Sequence, residues 1–133
     1  MPQENIEVVR RTGAAYNRRD VEGLKRMFHD DAEVYDFLEG RAEESPVRGG
    51  AGIARWLARE ADIWEEVRAD AFDFREVDDW VVAIGRGIAR GKGSGVLLEM
   101  PAAWVFKVSE GRIRYMRAYR DPSEALEAVG LSE

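Results

Sequence analysis

Asp36 is the carboxylate set among the most apolar neighbours. It lies in Ala32-Glu33-Val34-Tyr35-Asp36-Phe37, just after a helical stretch. Valine, tyrosine and phenylalanine favour a pleated, half-buried surface, which predicts a short strand. In a strand Val34, Asp36 and Leu38 share one face, and Tyr35 and Phe37 take the other. If Val34 faces a core, Asp36 does too. An inward carboxylate is costly unless it is paired, hydrated or protonated. In an apolar cavity it suits a general acid/base that takes and returns a proton. The plainer alternative is a carboxylate paired with an arginine such as Arg86 or Arg120, or one at a wet rim.

Other residues can serve the same cavity. Tyr16 and Thr12 lie about one helical turn apart, so both can look inward and donate hydrogen bonds to a ligand. Tyr16 is equally explained as ordinary core with a satisfied hydroxyl. Trp56, Met100, Trp104, Phe106 and Met116 are placed to wall a pocket, with simple core packing as the plainer reading, whereas Trp64 and Trp80 suit packing or dimer contacts. Glu60 falls seven residues after Ile53, on the apolar stripe of a helix. The expectation for it is a rim position facing water, the alternative a second cavity carboxylate.

The remaining polar motifs read as structure. His29, the only histidine, sits near a helix C-terminus, where a cation is favoured, and is expected to be a surface cap. One histidine and no cysteine make a zinc site improbable. Asp30, Asp31 and Glu33 lack calcium-loop spacing and predict a solvated turn. Asp121-Pro122 is an N-cap followed by proline at the first helical position. The glycines from Gly85 to Gly95 lack the order of a phosphate cradle and predict a hairpin. No metal or cofactor is expected.

The elements that must position these residues follow from periodicity. Ile6 to Asn17 predicts a helix, and Asp20 caps a second one that buries Leu24, Met27 and Phe28. A turn at His29-Asp30-Asp31 leads into the Asp36 strand, and Glu39 to Gly50 is a polar loop. A third helix follows, with Ile53, Trp56, Leu57, Ala61 and Trp64 at helical spacing. Ala69 to Val77, Trp80 to Ala89, Val96 to Val108 and Ile113 to Arg120 then read as strands joined by hairpins. On the second of these, Val81, Ala83, Gly85, Gly87 and Ala89 make a face of small residues that lets another element come close. A short helix after Asp121 stops near Gly130. Helices early and antiparallel strands late imply an α+β fold, with helices on one face of a curved sheet.

Composition fits one soluble domain over residues 1–133. The chain is 45% hydrophobic, enough for a core, and carries a net charge of −6 with both signs present. That balance argues against nucleic acid or an anionic membrane as a partner. The polar N-terminus carries no signal-peptide core and no stretch approaches a membrane span, so a cytoplasmic protein is expected.

Glu4-Asn5, Val9-Arg10-Arg11, Tyr16-Asn17-Arg18-Arg19-Asp20 and Asp31-Ala32-Glu33-Val34 resemble the SnoaL-like branch of the nuclear transport factor 2-like superfamily. Gly111-Arg112-Ile113, Tyr119-Arg120-Asp121, Ala125-Leu126-Glu127-Ala128 and Gly130-Leu131 extend the resemblance over essentially the whole chain. It implies a cone with a cystatin-like fold: a curved, mostly antiparallel sheet wrapped on three N-terminal helices, with a short C-terminal helix. It also implies an apolar cavity for a small hydrophobic molecule, and a homodimer packed sheet on sheet. The superfamily contains isomerases, cyclases, hydrolases and non-catalytic binders, so the fold does not choose among them. Asp36 matches the proton-shuttling Asp of ketosteroid isomerase. The isomerase's helix Tyr falls on Thr12, and its protonated Asp on Ala102 or Ala103. Losing such donors typically costs roughly 10²–10³-fold in rate, so a steroid isomerase is not predicted. The Arg-x-Asp of limonene epoxide hydrolase meets Arg86-Gly87-Ile88, and its last-strand Asp falls on Ala118, which is counted among the ligand-lining positions instead. The expected function is a cavity protein, either an isomerase, cyclase or hydrolase working through Asp36, or a binder without chemistry.

Overall fold

Asp20 caps its helix as its position requires, with its side chain accepting the Gly23 N–H at 2.9 Å. It separates α1 (Pro2–Asn17) from α2 (Val21–Met27), and the turn between them carries Arg19 at a left-handed φ of 57°. The computed structural model describes residues 2–36 and 47–131. Phe37, Leu38 and most of the expected polar loop lie outside the described residues.

The first strand departs from expectation. His29-Asp30-Asp31 is not a turn, because β1 (Phe28–Tyr35) runs directly out of α2. Its register against the last strand shifts between Phe28 and Glu33. Across that irregularity Asp30 and Asp31 point to solvent together while Ala32 and Val34 are buried. Arginines balance the acids: Arg114 lies 3.2 Å from Asp31, and Arg48 lies 2.7 Å from Glu33. His29 is not a surface cap. It is buried, with Nε2 2.7 Å from the Ser109 carbonyl oxygen, so that nitrogen carries the proton and donates.

Val47–Arg48 forms a two-residue β2 against β1, and α3 begins at Gly49, within the stretch expected to be loop. Gly49 has φ +62°, and a Cβ there would strike the Asp30 carbonyl oxygen, so only glycine fits without strain. Helix α3 (Gly49–Ile63) buries Ile53, Trp56, Leu57 and Glu60. Ala61 is exposed instead of buried, and Trp64 opens β3 (Trp64–Val77) instead of closing the helix. Strands β4 (Trp80–Gly91), β5 (Leu97–Ser109) and β6 (Arg112–Tyr119) follow as hairpins, then α4 (Pro122–Ala128). The Asp121 side chain accepts the Ser123 N–H at 2.9 Å, as an N-cap should.

The strands make one six-stranded sheet in the order β2-β1-β6-β5-β4-β3. All neighbours are antiparallel except β1 and β6, which are parallel. One face packs Val81, Phe106, Val108 and Met116 against α1–α3 and β1. The opposite face packs Val82, Ala103 and Val105 against Ala125 and Leu126 of α4. Helices therefore cover both sides, and not one as expected. Among the described residues no helix is long and apolar enough to cross a membrane.

The small face of β4 has two different uses. Gly85 lies opposite an irregularity in β3 between Ala71 and Asp73. A Cβ there would strike the Asp70 carbonyl oxygen and sit 2.7 Å from Ala71 Cα, whereas one on Gly87 meets nothing within 4 Å. Gly85→Ala should therefore destabilise the protein by about 2 kcal/mol, the scale of overpacking. Gly87→Ala should change stability by less than about 0.5 kcal/mol. Urea denaturation of the two variants checks the contrast.

Candidate functional site

Between α1, α3, the end of β1 and the inner face of β3–β6 lies a cavity of about 540 Å³. It exists because β4 presents Ala83 and Gly87 where a larger residue would fill the space, while β5 presents Trp104 and Phe106 beside them. Among the residues singled out from sequence, Asp36, Thr12, Tyr16, Trp56, Trp104, Phe106 and Met116 line it. Met100 and Ala118 do not. Strand alternation puts them on the same side as Trp104 and Met116, and in register with Gly87 and Trp104, which do line it. Phe74 of β3 joins the wall, as do Val9, Leu24 and Phe28.

Asp36 follows directly on β1 and is only 8% exposed, so it is not at a wet rim. Trp56 Nε1 donates to its Oδ2 at 2.6 Å. Arg86, one arginine considered as its partner, also lines the cavity and pairs with Glu99 at 2.9 Å. The Trp56 indole stacks on Tyr16, with centroids 5.4 Å apart and planes at 24°. Thr12 gives its hydroxyl proton to the Val8 carbonyl at 2.8 Å, so its oxygen can accept from a ligand but its proton is engaged.

Glu60 is 2% exposed, which overturns the rim position expected for it. Tyr16 Oη lies 3.0 Å from its Oε1 and 3.1 Å from its Oε2, and Arg19 Nη2 donates to Oε1 at 2.9 Å. The Arg19 guanidinium also lies over the Tyr16 ring, 4.9 Å from the centroid. Burial pushes the Glu60 carboxyl up from 4.5 to about 7, and the charge of Asp36 adds to the rise against the pull of Arg19 and Tyr16. Burial, then Glu60 and Asp36, hold the Tyr16 phenol well above its ordinary value. Arg19 was missed from sequence. Its signal was there: it follows Tyr16 by three residues, and a Glu on an apolar stripe needs a cation. Asn17 pins this end of α1 to β3, donating to the Ala69 carbonyl and accepting its N–H, both at 2.9 Å.

His29, Asp30, Asp31, Glu33 and Asp121 take no part in the cavity. Among the described residues no cluster of three or more His, Cys, Asp or Glu side chains could hold a metal ion.

Residues 9–116 match the profile of the SnoaL-like domain. No curated protein matches the sequence. Among solved structures, the chain is similar to an NTF2-like protein of unknown function from Burkholderia pseudomallei, with 18% identity over 96% of this chain and 98% of that one and a TM-score of 0.77. It is similar to TerC co-crystallised with polyporic acid, with 23% identity over 95% and 97% of the two chains and a TM-score of 0.78. A candidate SnoaL-like polyketide cyclase from Shewanella denitrificans has 17% identity over 94% and 95%, with a TM-score of 0.72. At these identities the likeness speaks to the fold alone.

The raised Glu60 makes stability depend on pH. The folded protein holds this proton more tightly than the unfolded chain does. The stability it contributes is therefore complete below pH 4.5 and is lost as pH rises through about 7. The full effect is roughly 3 kcal/mol. Glu60→Gln cannot ionise, so its stability relative to the unsubstituted protein should rise by up to about 3 kcal/mol between pH ~5 and pH ~8. Denaturant titrations of both proteins across that range measure the difference.

Proposed function

The chain belongs to the SnoaL-like domain family, and from that premise we propose that it binds a small, largely apolar carbonyl compound and moves a proton on it with Asp36, as an isomerase or cyclase does. The observation that carries this reading is a nearly buried carboxylate bordering an aromatic-walled cavity and held by an indole N–H. The hydrogen bond from Trp56 fixes one carboxylate oxygen and leaves the group oriented before any ligand arrives. Proton abstraction next to a carbonyl needs a base within hydrogen-bond reach of the carbon, in a site that excludes water. Trp104, Phe106, Phe74 and Met116 supply apolar wall for the body of such a molecule. The kinship with chains named for polyketide cyclisation, and with TerC co-crystallised with polyporic acid, favours a small organic ligand. The hydrolase alternative is weaker, since Ile88 and Ala118 stand where the epoxide hydrolase pattern has acids.

A binder without chemistry is the second reading. Two features favour it. The Thr12 proton is engaged by Val8, and Ala102, fully buried, has no side-chain donor to offer.

Acetophenone in D2O separates the two. The unsubstituted protein should accelerate exchange of the methyl protons, read by proton NMR, and Asp36→Asn should lose roughly 10²-fold or more of that rate. Equal exchange by both proteins would remove Asp36 from the chemistry. Saturable binding with no accelerated exchange in either would select the binder.

A further inference from the structure

The carboxylate of Glu60 has two unlike oxygens. Tyr16 Oη lies 3.0 Å from Oε1 and 3.1 Å from Oε2, but only Oε1 also receives the Arg19 N–H, at 2.9 Å. An acid proton on Glu60 therefore belongs on Oε2, because a donor already points at Oε1. Tyr16 has one proton and two lone pairs. When Glu60 is ionised, the phenol must give its proton to the carboxylate, and only lone pairs are left for the cavity. When Glu60 is neutral, Oε2–H donates to Tyr16 Oη, and the phenol's own proton is free to turn into the cavity that Tyr16 lines.

We propose that Glu60 is a positioning residue that sets the hydrogen-bond polarity of Tyr16, making it the donor to a ligand's carbonyl oxygen when Glu60 is neutral. The inference rests on the carbonyl-binding reading above. As Asp36 takes a proton from the α-carbon, the C–H electron pair becomes the C=C bond of an enolate and negative charge moves to the oxygen. Tyr16 hydrogen-bonds that oxygen and keeps its proton. Asp36 then returns the proton it took. Tyr16 thus provides the donor that Thr12, bonded to Val8, and Ala102 do not.

The charged and titratable groups that face Glu60 are Tyr16 from α1, Arg19 from the turn after it and Asp36 from the end of β1. Arg19 favours the ionised form; burial and Asp36 favour the neutral one. With the carboxyl at about 7, the donor state is populated below that pH and withdrawn above it.

The carbonyl stretch of acetophenone labelled with carbon-13 at the carbonyl reads the donor directly, since an accepted hydrogen bond lowers its frequency. In the unsubstituted protein the bound band should lie lower on the acid side of the Glu60 transition than on the alkaline side. In Glu60→Gln the amide oxygen takes the place of Oε1 and the NH2 donates from the place of Oε2. Its band should be low on both sides. In Tyr16→Phe it should be high on both sides. Asp36→Asn should keep the two band positions and cross between them at lower pH, because one cause of the rise is gone. A band in the unsubstituted protein that ignores pH, or a Glu60→Gln band that coincides with that of Tyr16→Phe, overturns the proposal. If exchange needs Asp36 but the bands do not move, only the role of Glu60 falls. If the bands move but exchange ignores Asp36, only the general-base reading falls. Absence of saturable acetophenone binding overturns both.

Discussion

A carboxylate taken out of water must be met by hydrogen bonds or by opposite charge, or it will not ionise. Glu60 is in that position, and the inner half of the structure is arranged around it. Its partners come from the end of α1 and the turn that follows, and Asp36 from the end of β1 faces it. Tyr16 is held at its hydroxyl by Glu60 and on its ring by Trp56 and Arg19. Trp56 in turn holds Asp36. The two carboxylates are therefore joined through one pair of stacked rings. Moving any one of these side chains would disturb the hydrogen bond of another, which is how a cavity lined by mobile side-chain types comes to have fixed polar atoms.

The empty space has a separate origin. A sheet packed on helices normally fills its interior with interlocking side chains. Here β4 supplies Ala83 and Gly87 to the inner face and does not fill it. The Asn17 bridge to Ala69 sets the spacing between α1 and β3 beside it with two hydrogen bonds.

Much of this was legible before any coordinates. The Ile53, Trp56 and Leu57 part of the α3 stripe, the caps at Asp20 and Asp121 and the hairpins between the late strands follow local rules, and there local rules held. Glu110 and Gly111 take positive φ values of 55° and 76°, as a tight turn asks. The misreadings share a cause: each depended on a residue distant in sequence. His29-Asp30-Asp31 looks like a turn until the arginines of β6 and the Ser109 carbonyl are set beside it. Glu60 looks solvated until Arg19, 41 residues earlier, reaches it. Met100 and Ala118 lie on the side of the strand that alternation assigns, but alternation does not say which residues of that side border an open space.

The parallel pairing of β1 and β6 has a bearing on how the chain folds. Val34 sits against Met116, so the strand that delivers Asp36 is secured by residues some eighty positions later. Contacts of such long range are closed late, after the loop entropy between them has been overcome. Until β6 docks, β1 is paired on one side only, with the two residues of β2. The Asp36 carboxylate is thus carried by a strand that the sheet holds on both sides only in the finished fold.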